Sequence, residues 1–149
     1  MIRFIIPGVV GKQRPRTVRI RGGRSATYTP QKTVNFENFV KILYMDAGLP
    51  NIKGEAFAMQ IDIYFQIPKS YSKKKREDCL CGNIQPTKKP DDDNVVKSIS
   101  DALNGLAYYD DSQRIGLVVT KNWTEEPSFC EVAIMTKQKI KTLKEKNND

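Results

Sequence analysis

Six aspartates lie between residues 91 and 111, and they form the strongest candidate for chemistry in this chain. Three are consecutive, from Asp91 to Asp93, and two more stand together as Asp110 and Asp111. Carboxylates that share a small volume repel one another, and a bound divalent cation removes that repulsion. Because ligand sets made only of oxygen suit hard cations, the cluster predicts a Mg²⁺ site that would also accept Mn²⁺.

The residue types that are missing exclude several kinds of catalytic and metal site. The sequence has no histidine, which excludes a Ser-His or Cys-His nucleophile, a histidine general base and a histidine-ligated zinc. Its three cysteines, Cys79, Cys81 and Cys130, are too few for a four-thiolate metal site, and a bond between the first two would close a strained ring. We therefore expect reduced thiols, a cytoplasmic protein and hydrolysis carried out by carboxylates, lysine and a metal.

The segment between the acids predicts an amphipathic helix from Asn94 to Asn104. At about 100° per residue its apolar side chains fall within one arc, and Lys97 and Asp101 lie on the opposite side. Gly105 suits the left-handed residue that follows a last helical turn. The residues of the apolar arc are Val95, Val96, Ile99, Ala102 and Leu103.

The acids that precede this helix allow two interpretations. Helix N-termini favour negative charge, so the acids would only cap the helix and form a polar turn. Alternatively, an extended approach to the helix points Asp91 and Asp93 to one side and Asp92 to the other, and a carboxylate from the Asp110–Asp111 corner completes a metal site. An EF-hand is disfavoured, because the loop lacks the required glycine and closing glutamate.

Lys97 lies one helical turn after the acids and also has two interpretations. It would pair with Asp101 at i,i+4, which is worth only a few tenths of a kcal/mol. It would otherwise hold the phosphate that is cut, or offset charge that develops in the transition state. The second role requires a surface that brings a polyanion to the acids.

Positive charge elsewhere in the chain supplies such a surface. The formal net charge is +8, and eight cations precede the first acid, Glu37. We predict a basic hairpin or arm at about residues 11–27 and a basic loop at about residues 69–90, in which Ser72 caps a short helix. Charge runs of this kind can also be no more than solubilising loops. The cations that we assign to DNA contact are Lys12, Arg14, Arg16, Arg19, Arg21, Arg24, Lys73, Lys74, Lys75 and Arg76.

The remaining pattern predicts an α+β fold of the α/β type, in which helices pack on a mixed sheet. Strict alternation from Phe57 to Ile67 is typical of a half-buried strand. Two later strands are predicted at Ile115–Trp123 and Phe129–Thr136. One domain would span residues 1–137, followed by a lysine-rich tail at 138–149.

The first third of the chain predicts a strand and then a helix. The apolar stretch Phe4–Gly11 is broken by Pro7, which indicates a strand and a turn rather than a signal peptide or a membrane span. Thr29 is the predicted N-cap of the helix, Pro30 its first residue, and Gly48 its end. The predicted apolar face is Phe36, Phe39, Val40, Leu43 and Ala47.

The acidic segment also carries a longer ordered pattern. It reads Lys89-Pro90-Asp91-Asp92-Asp93-Asn94-Val95-Val96-Lys97, then Asp101-Ala102-Leu103, then Asp110-Asp111. This pattern resembles that of the RusA family of Holliday-junction resolvases, which is Pro-Asp-x-Asp-Asn, lysine, Asp-Ala-Leu and a paired Asp-Asp. Members of the family often carry a histidine shortly before the Lys-Pro-Asp, where this chain has Thr87 and Lys88.

The resemblance implies a Mg²⁺-dependent crossover junction endodeoxyribonuclease of RusA-like fold that acts in DNA recombination and repair. Such an enzyme works as a homodimer on four-way DNA junctions and nicks two strands symmetrically. By position, the resemblance makes Asp91, Asp93 and Asp111 the catalytic metal ligands and Lys97 the catalytic lysine. It leaves open whether one or two ions bind. The supporting residues, whether as ligands or as structural groups, would be Asn94, Asp110 and Asp101.

Two other functions stay open at this point. The chain could be a metal-dependent nuclease of other branched or flap DNA, since a sequence does not encode junction geometry. It could also be a non-catalytic basic DNA-binding module in which the acids only cap a helix. Cleavage assays on different DNA structures, and on variants of the acids, distinguish the three.

Overall fold

A computed structural model describes residues 1–136 and 144–146 of the chain. In this part of the chain, six strands and three α-helices form the structure, together with one 3-10 helix. The elements in order are β1 (Ile2–Pro7), β2 (Arg16–Arg19), β3 (Ser25–Tyr28), α1 (Gln31–Asp46), β4 (Phe57–Gln66), α2 (Lys73–Leu80), α3 (Asp92–Leu103), the 3-10 helix (Asp111–Gln113), β5 (Arg114–Thr124) and β6 (Phe129–Thr136).

The main sheet has four strands in the order β1-β6-β4-β5. β4 pairs in parallel with β5 and antiparallel with β6, and β1 pairs antiparallel with β6. The sheet is therefore mixed, and the predicted α+β class is confirmed. β5 and β6 are consecutive in the chain, but β4 lies between them, so the turn that joins them crosses over a strand instead of closing a hairpin.

The core lies between one face of this sheet and the helices. The alternation in β4 places Phe57, Met59 and Ile61 on the buried face, as the sequence predicts. The apolar arc of α3 packs on the same core and is buried throughout, which confirms the predicted amphipathic helix. The polar side of α3 is thereby turned outward, and it carries the candidate site.

The first helix differs from its prediction. It begins at Gln31 with Pro30 as N-cap, one residue later than predicted, and no side chain caps it. Phe39 is exposed, whereas Thr33 and Tyr44 are buried, because the face of α1 that meets the sheet is rotated from the predicted one. The buried residues of α1 are Thr33, Phe36, Val40 and Tyr44.

Both basic segments contain regular structure. The predicted arm is a hairpin of β2 and β3, and its turn uses Gly22 and Gly23 at φ of +91° and +78°, which glycine adopts without strain. In the basic loop, the Ser72 hydroxyl accepts a hydrogen bond from the Lys75 N–H at 3.3 Å, so the predicted cap of a short helix, α2, is confirmed.

The C-terminal tail, 138–149, lies outside the described residues except for 144–146. The predicted division of the chain at residue 137 stays a prediction. Within the described part of the chain, no helix combines the length and the apolar character needed to cross a membrane.

Candidate active site

The start of α3 sets the directions of the three consecutive aspartates. Asp91 is the N-cap in an extended conformation, and Asp92 and Asp93 already belong to the first helical turn. The prediction of an extended run with Asp91 and Asp93 on the same side is therefore wrong. Helical residues are rotated by about 100° from one to the next, not by about 180° as in a strand.

One cavity collects most of the predicted site residues. It measures about 380 Å³, and we call it the acid cavity. Its apolar wall is formed by Val96, Leu117 and Val119. Its charged lining is Asp92, Asp93, Lys97, Asp101, Asp111 and Arg114. Asp91 does not line this cavity and borders two others.

Asp111 is positioned by a tightly bonded turn. The Asp110 carboxylate accepts a hydrogen bond from the Ser112 N–H at 3.3 Å, and the Gln113 amide oxygen accepts one from the Asp110 N–H at 2.8 Å. Gln113 also donates to the carbonyl oxygens of Lys53 and Glu55 at 2.6 and 2.8 Å. The hydrogen bonds from Ser112 hold the pKa of Asp110 below its ordinary value. Asp110 is thus a capping residue, and it fixes Asp111 at the mouth of the acid cavity.

The capping interpretation does not account for Asp91. Its side chain accepts no cap hydrogen bond, although it occupies the N-cap. Instead, the Asp92 carboxylate accepts a hydrogen bond from the Asp93 N–H at 2.9 Å, and the Asp93 carboxylate accepts one from the Asn94 N–H at 3.0 Å. Of the three aspartates at this helix start, Asp91 is the one whose carboxylate has no such local role.

The donor chemistry of the site fits a hard divalent cation, because the side-chain oxygens that line the acid cavity belong to carboxylates, Asp93 and Asp111 among them, and to the Ser100 hydroxyl. The ligand grouping is incomplete. Among the residues that the structure describes, no three histidine, cysteine, aspartate or glutamate side chains lie close enough to hold one ion. The predicted convergence of Asp91, Asp93 and Asp111 is thus not formed among the described residues, and Asp91 lines other cavities than the one that Asp93 and Asp111 share.

The ion pair between Lys97 and Asp101 is absent from the described part of the chain. Asp101 instead binds the Lys12 amine at 2.7 Å, and the same amine binds Glu37 at 2.8 Å. Lys97 is exposed in the acid cavity, and none of the four ion pairs of the described residues contains it. Its amine is therefore available to an anion that enters the cavity.

The segment that leads into the arm is bonded along α3. The Ser98 hydroxyl donates to the Val10 carbonyl at 2.8 Å, and the Lys12 N–H donates to the Asn94 carbonyl at 2.9 Å. The Gln13 N–H donates to the Thr33 hydroxyl of α1 at 3.1 Å. Asn94, the predicted supporting residue, thus supports the arm through its backbone, and Lys12 is bound to acids rather than presented with the other arm cations.

The arm opens directly onto the candidate site. A cavity of about 540 Å³, the arm cavity, is lined by Arg14 from the arm and by Asp93 and Lys97 from α3. The other arginines of the arm and the lysines of α2 are exposed, whereas Arg76 is half-buried and lies 3.9 Å from Glu125. A polyanion bound along these cations would therefore pass beside Asp93.

Sequence reasoning missed two features of the site. The first is the ion cluster of Lys12, Glu37 and Asp101, whose members are distant in sequence and follow no spacing rule. The second is Arg114, which lines the acid cavity beside Asp111 and donates to the Ser100 hydroxyl at 2.9 Å. Its place directly after the 3-10 helix, at the start of a strand, is the only sequence signal for it.

The contact between Gly11 and Pro90 yields a prediction. A Cβ on Gly11 would lie 2.7 Å from the Pro90 Cβ and 3.3 Å from the Asn94 Cβ. We expect Gly11→Ala to lower the free energy of unfolding by about 2 kcal/mol, since either the arm or Pro90 must move. Chemical denaturation measures this. The control is Gly54→Ala, whose Cβ would meet only Tyr109, at 3.9 Å. An equal loss in both variants would contradict the prediction.

Comparisons with known proteins show the family of this chain. Residues 7–135 match the family model described as "Endodeoxyribonuclease RusA". The chain is also 40% identical over 129 residues to an uncharacterized protein, YqaN, of Bacillus subtilis (strain 168), an alignment that covers 85% of this chain and 90% of the relative. The matched region contains the acid cavity, the arm, β4, β5 and all of β6 but its last residue, and it includes only Pro7 of β1. The chain belongs to the RusA family of endodeoxyribonucleases.

Proposed function

We propose that this protein is a Mg²⁺-dependent endonuclease that resolves four-way DNA junctions by paired symmetric nicks. The observation that carries the proposal is the arm cavity, which Arg14, a cation predicted to contact DNA, lines together with Asp93 and Lys97. Family membership supports the nuclease activity, and the cavity supports the direction from which DNA reaches the acids.

Asp91, Asp93 and Asp111 would hold the divalent cation, which Mn²⁺ could replace. A cation held there lowers the pKa of a water molecule and offsets charge on the phosphate, which this chain cannot do with histidine. The residues of the chain have separate tasks: Asp110 orients Asp111, and Arg114 and Lys97 attract the phosphate to the acid cavity. For Asp91, this assignment requires its carboxylate to turn toward the cavity.

Lys97 is expected to act on the transition state. We expect Lys97→Met to slow single-turnover cleavage about thirtyfold, which corresponds to about 2 kcal/mol, because one amine facing the developing negative charge is lost. Junction affinity should change much less. Lys41→Met, on α1 and outside any ion pair of the described residues, is the matched control. A rate unchanged by Lys97→Met would exclude the assigned role.

We also propose that the active form is a homodimer. Two symmetric nicks in one junction require two active sites related by a two-fold axis, which a symmetric dimer provides. The setting would be DNA recombination and repair in the cytoplasm. The described cysteines, which are all free thiols, are compatible with that compartment.

The decisive experiment compares cleavage of a synthetic four-way junction, a linear duplex and a flap, each with and without Mg²⁺. We expect paired nicks in the junction only, and only with the metal. Equal rates on all three substrates would favour a less selective nuclease. No cleavage of any substrate with Mg²⁺ or Mn²⁺ would instead favour a non-catalytic DNA-binding module.

A further inference from the structure

A second charged cavity is lined by Asp91 and shares no lining residue with the acid cavity. It measures about 500 Å³, and three lysines line it: Lys88 and Lys89 from the loop before α3, and Lys121 from β5. We call it the lysine cavity. Asp91 is the only acid in its lining. None of these lysines belongs to the basic hairpin or to α2, so the cavity is a separate feature of the surface.

Two of the three amines are brought together by the fold. The Lys88 and Lys121 amines each lie 5.4 Å from the centre of the Phe65 ring. The Lys121 amine also donates to the Lys88 carbonyl at 2.6 Å, and the Trp123 indole N–H donates to the Ile84 carbonyl at 2.9 Å. The loop is thus bonded to β5 at two points, and the lysines are held in place.

The charge of the lysine cavity is not balanced by the protein. The four ion pairs of the described residues include none of these three lysines. Like charges held close together raise the local positive potential and favour an anion between them. The contact with the Phe65 ring offsets only part of this repulsion, since a cation over an aromatic face contributes little at an exposed site.

We propose that the lysine cavity binds a backbone phosphate of the DNA next to the phosphate that is cut. The inference rests on the proposed function and extends it, because it gives the DNA a second contact, next to Asp91 and separate from the arm. Asp91 borders the cavity, and α2 with its exposed lysines lies directly before this loop in the chain. A strand bound at both the arm and the lysine cavity would be held across the start of α3.

The test measures DNA binding without cleavage. Affinity for a four-way junction is determined in EDTA at several salt concentrations for wild type and for Lys88→Gln/Lys121→Gln. Each phosphate contact contributes about 0.9 to the slope of log affinity against log salt. We expect the double variant to lower the magnitude of that slope by about 1 to 2. Lys88→Arg/Lys121→Arg keeps both charges and should retain the wild-type slope.

The matched control removes the same charge elsewhere. Arg3→Gln/Lys41→Gln acts on β1 and α1, at residues that line none of the acid, arm and lysine cavities. We expect this control to leave the slope near the wild-type value. An equal fall in both double variants would overturn the proposal, because it would indicate a general effect of net charge. Thermal unfolding of each variant verifies that the fold is retained. If the glutamine replacements destabilise the loop, Lys88→Arg/Lys121→Arg still tests whether the positive charges set the slope.

Inorganic phosphate distinguishes a DNA contact from a site for a free anion. If Lys88→Gln/Lys121→Gln weakens binding of inorganic phosphate but leaves the junction slope unchanged, the cavity binds small anions and the proposal is wrong. Because the readout is binding, it is independent of the nuclease activity. A protein that cuts no junction but shows the expected change in slope would refute the proposed function and leave this inference standing.

Discussion

Replacing Asp91 by Asn is expected to slow junction cleavage at least about a thousandfold, because loss of a metal ligand removes several kcal/mol of transition-state stabilisation. The neighbouring substitution Asp92→Asn should change the rate by less than about tenfold. The two variants remove the same charge from adjacent positions. Any difference between them therefore reports the role of the individual carboxylate and not the local charge.

The structure makes this pair of variants informative. Asp92 lines the acid cavity with Asp93 and Asp111, whereas Asp91 lies on the other side of the helix start. Geometry alone would choose Asp92 as the third ligand. Asp91, however, stands at the first aspartate of the family motif and makes no cap hydrogen bond, while the Asp92 carboxylate accepts the Asp93 N–H. We therefore assign the ligand role to Asp91.

Single-turnover cleavage of a four-way junction with excess protein separates the rate from binding. Junction affinity should be retained or increased in Asp91→Asn, because a negative charge facing the phosphate is removed. If Asp92→Asn is the severe variant and Asp91→Asn is mild, the metal ligands are Asp92, Asp93 and Asp111, which all line the acid cavity. If both are mild, the acids only cap α3 and the nuclease assignment of this site is wrong.

Replacing Lys12 by Met is expected to lower the free energy of unfolding by about 3 kcal/mol, since it leaves two carboxylates close together without their cation. The Lys12 amine lies 2.8 Å from Glu37 and 2.7 Å from Asp101, and all three side chains are at most a third exposed. The cluster joins the start of the arm to α1 and to α3. Urea denaturation at neutral pH measures the change.

The pH dependence of this contribution follows from the pKa of Lys12. Burial lowers that pKa, but hydrogen bonds and charge from Asp101 and Glu37 outweigh burial and raise it above its ordinary value of 10.5. A group with a raised pKa stabilises the folded state fully below its unfolded pKa. The contribution of Lys12 to the free energy of unfolding is therefore complete at neutral pH. It is lost only as the pH rises from 10.5, the ordinary pKa, through the pKa of Lys12 in the folded protein.

Two variants test the cause of the destabilisation. Lys12→Met/Glu37→Gln/Asp101→Asn removes the stranded charges as well and should recover a large part of the loss. Lys41→Met, another lysine replacement next to the same helix face, should have little effect. If the triple variant is less stable than Lys12→Met, the stability derives from packing of these side chains and not from their charges.

Several parts of the fold are readable from the sequence because they depend on neighbours in the chain. The alternation of β4, the apolar arc of α3 and the cap of α2 by Ser72 all follow from local periodicity or from a hydrogen bond over three residues. Gly105 after α3, at φ of +78°, follows from the same kind of local rule. Each of these predictions needs no knowledge of what packs against the segment.

Predictions fail where the direction of a side chain depends on which residue begins a helix, or on a partner that is distant in the sequence. Helix α3 begins at Asp92, inside the run of acids, and this start turns Asp91 away from Asp93. The rotation of α1, which exposes Phe39 and buries Tyr44, is decided by its packing on α3 and on β1, where the Tyr44 ring meets the Phe4 ring. Neither the start of α3 nor the buried face of α1 is marked in the sequence. For α3, the reason is that aspartate is acceptable both as an N-cap and in a first helical turn.

The sequence by itself determined the chemistry that is open to this protein: carboxylates and lysine without histidine, on a basic chain, in the order of residues typical of the RusA family. Only the tertiary structure decided which groups meet. It joined Lys12 to Asp101, which are 89 residues apart in the chain, placed Arg14 beside Asp93, and brought Lys88 and Lys121 to the same ring, Phe65. The reason is physical: residue type and spacing set local conformation and charge, whereas contacts between distant segments depend on how the sheet and helices pack.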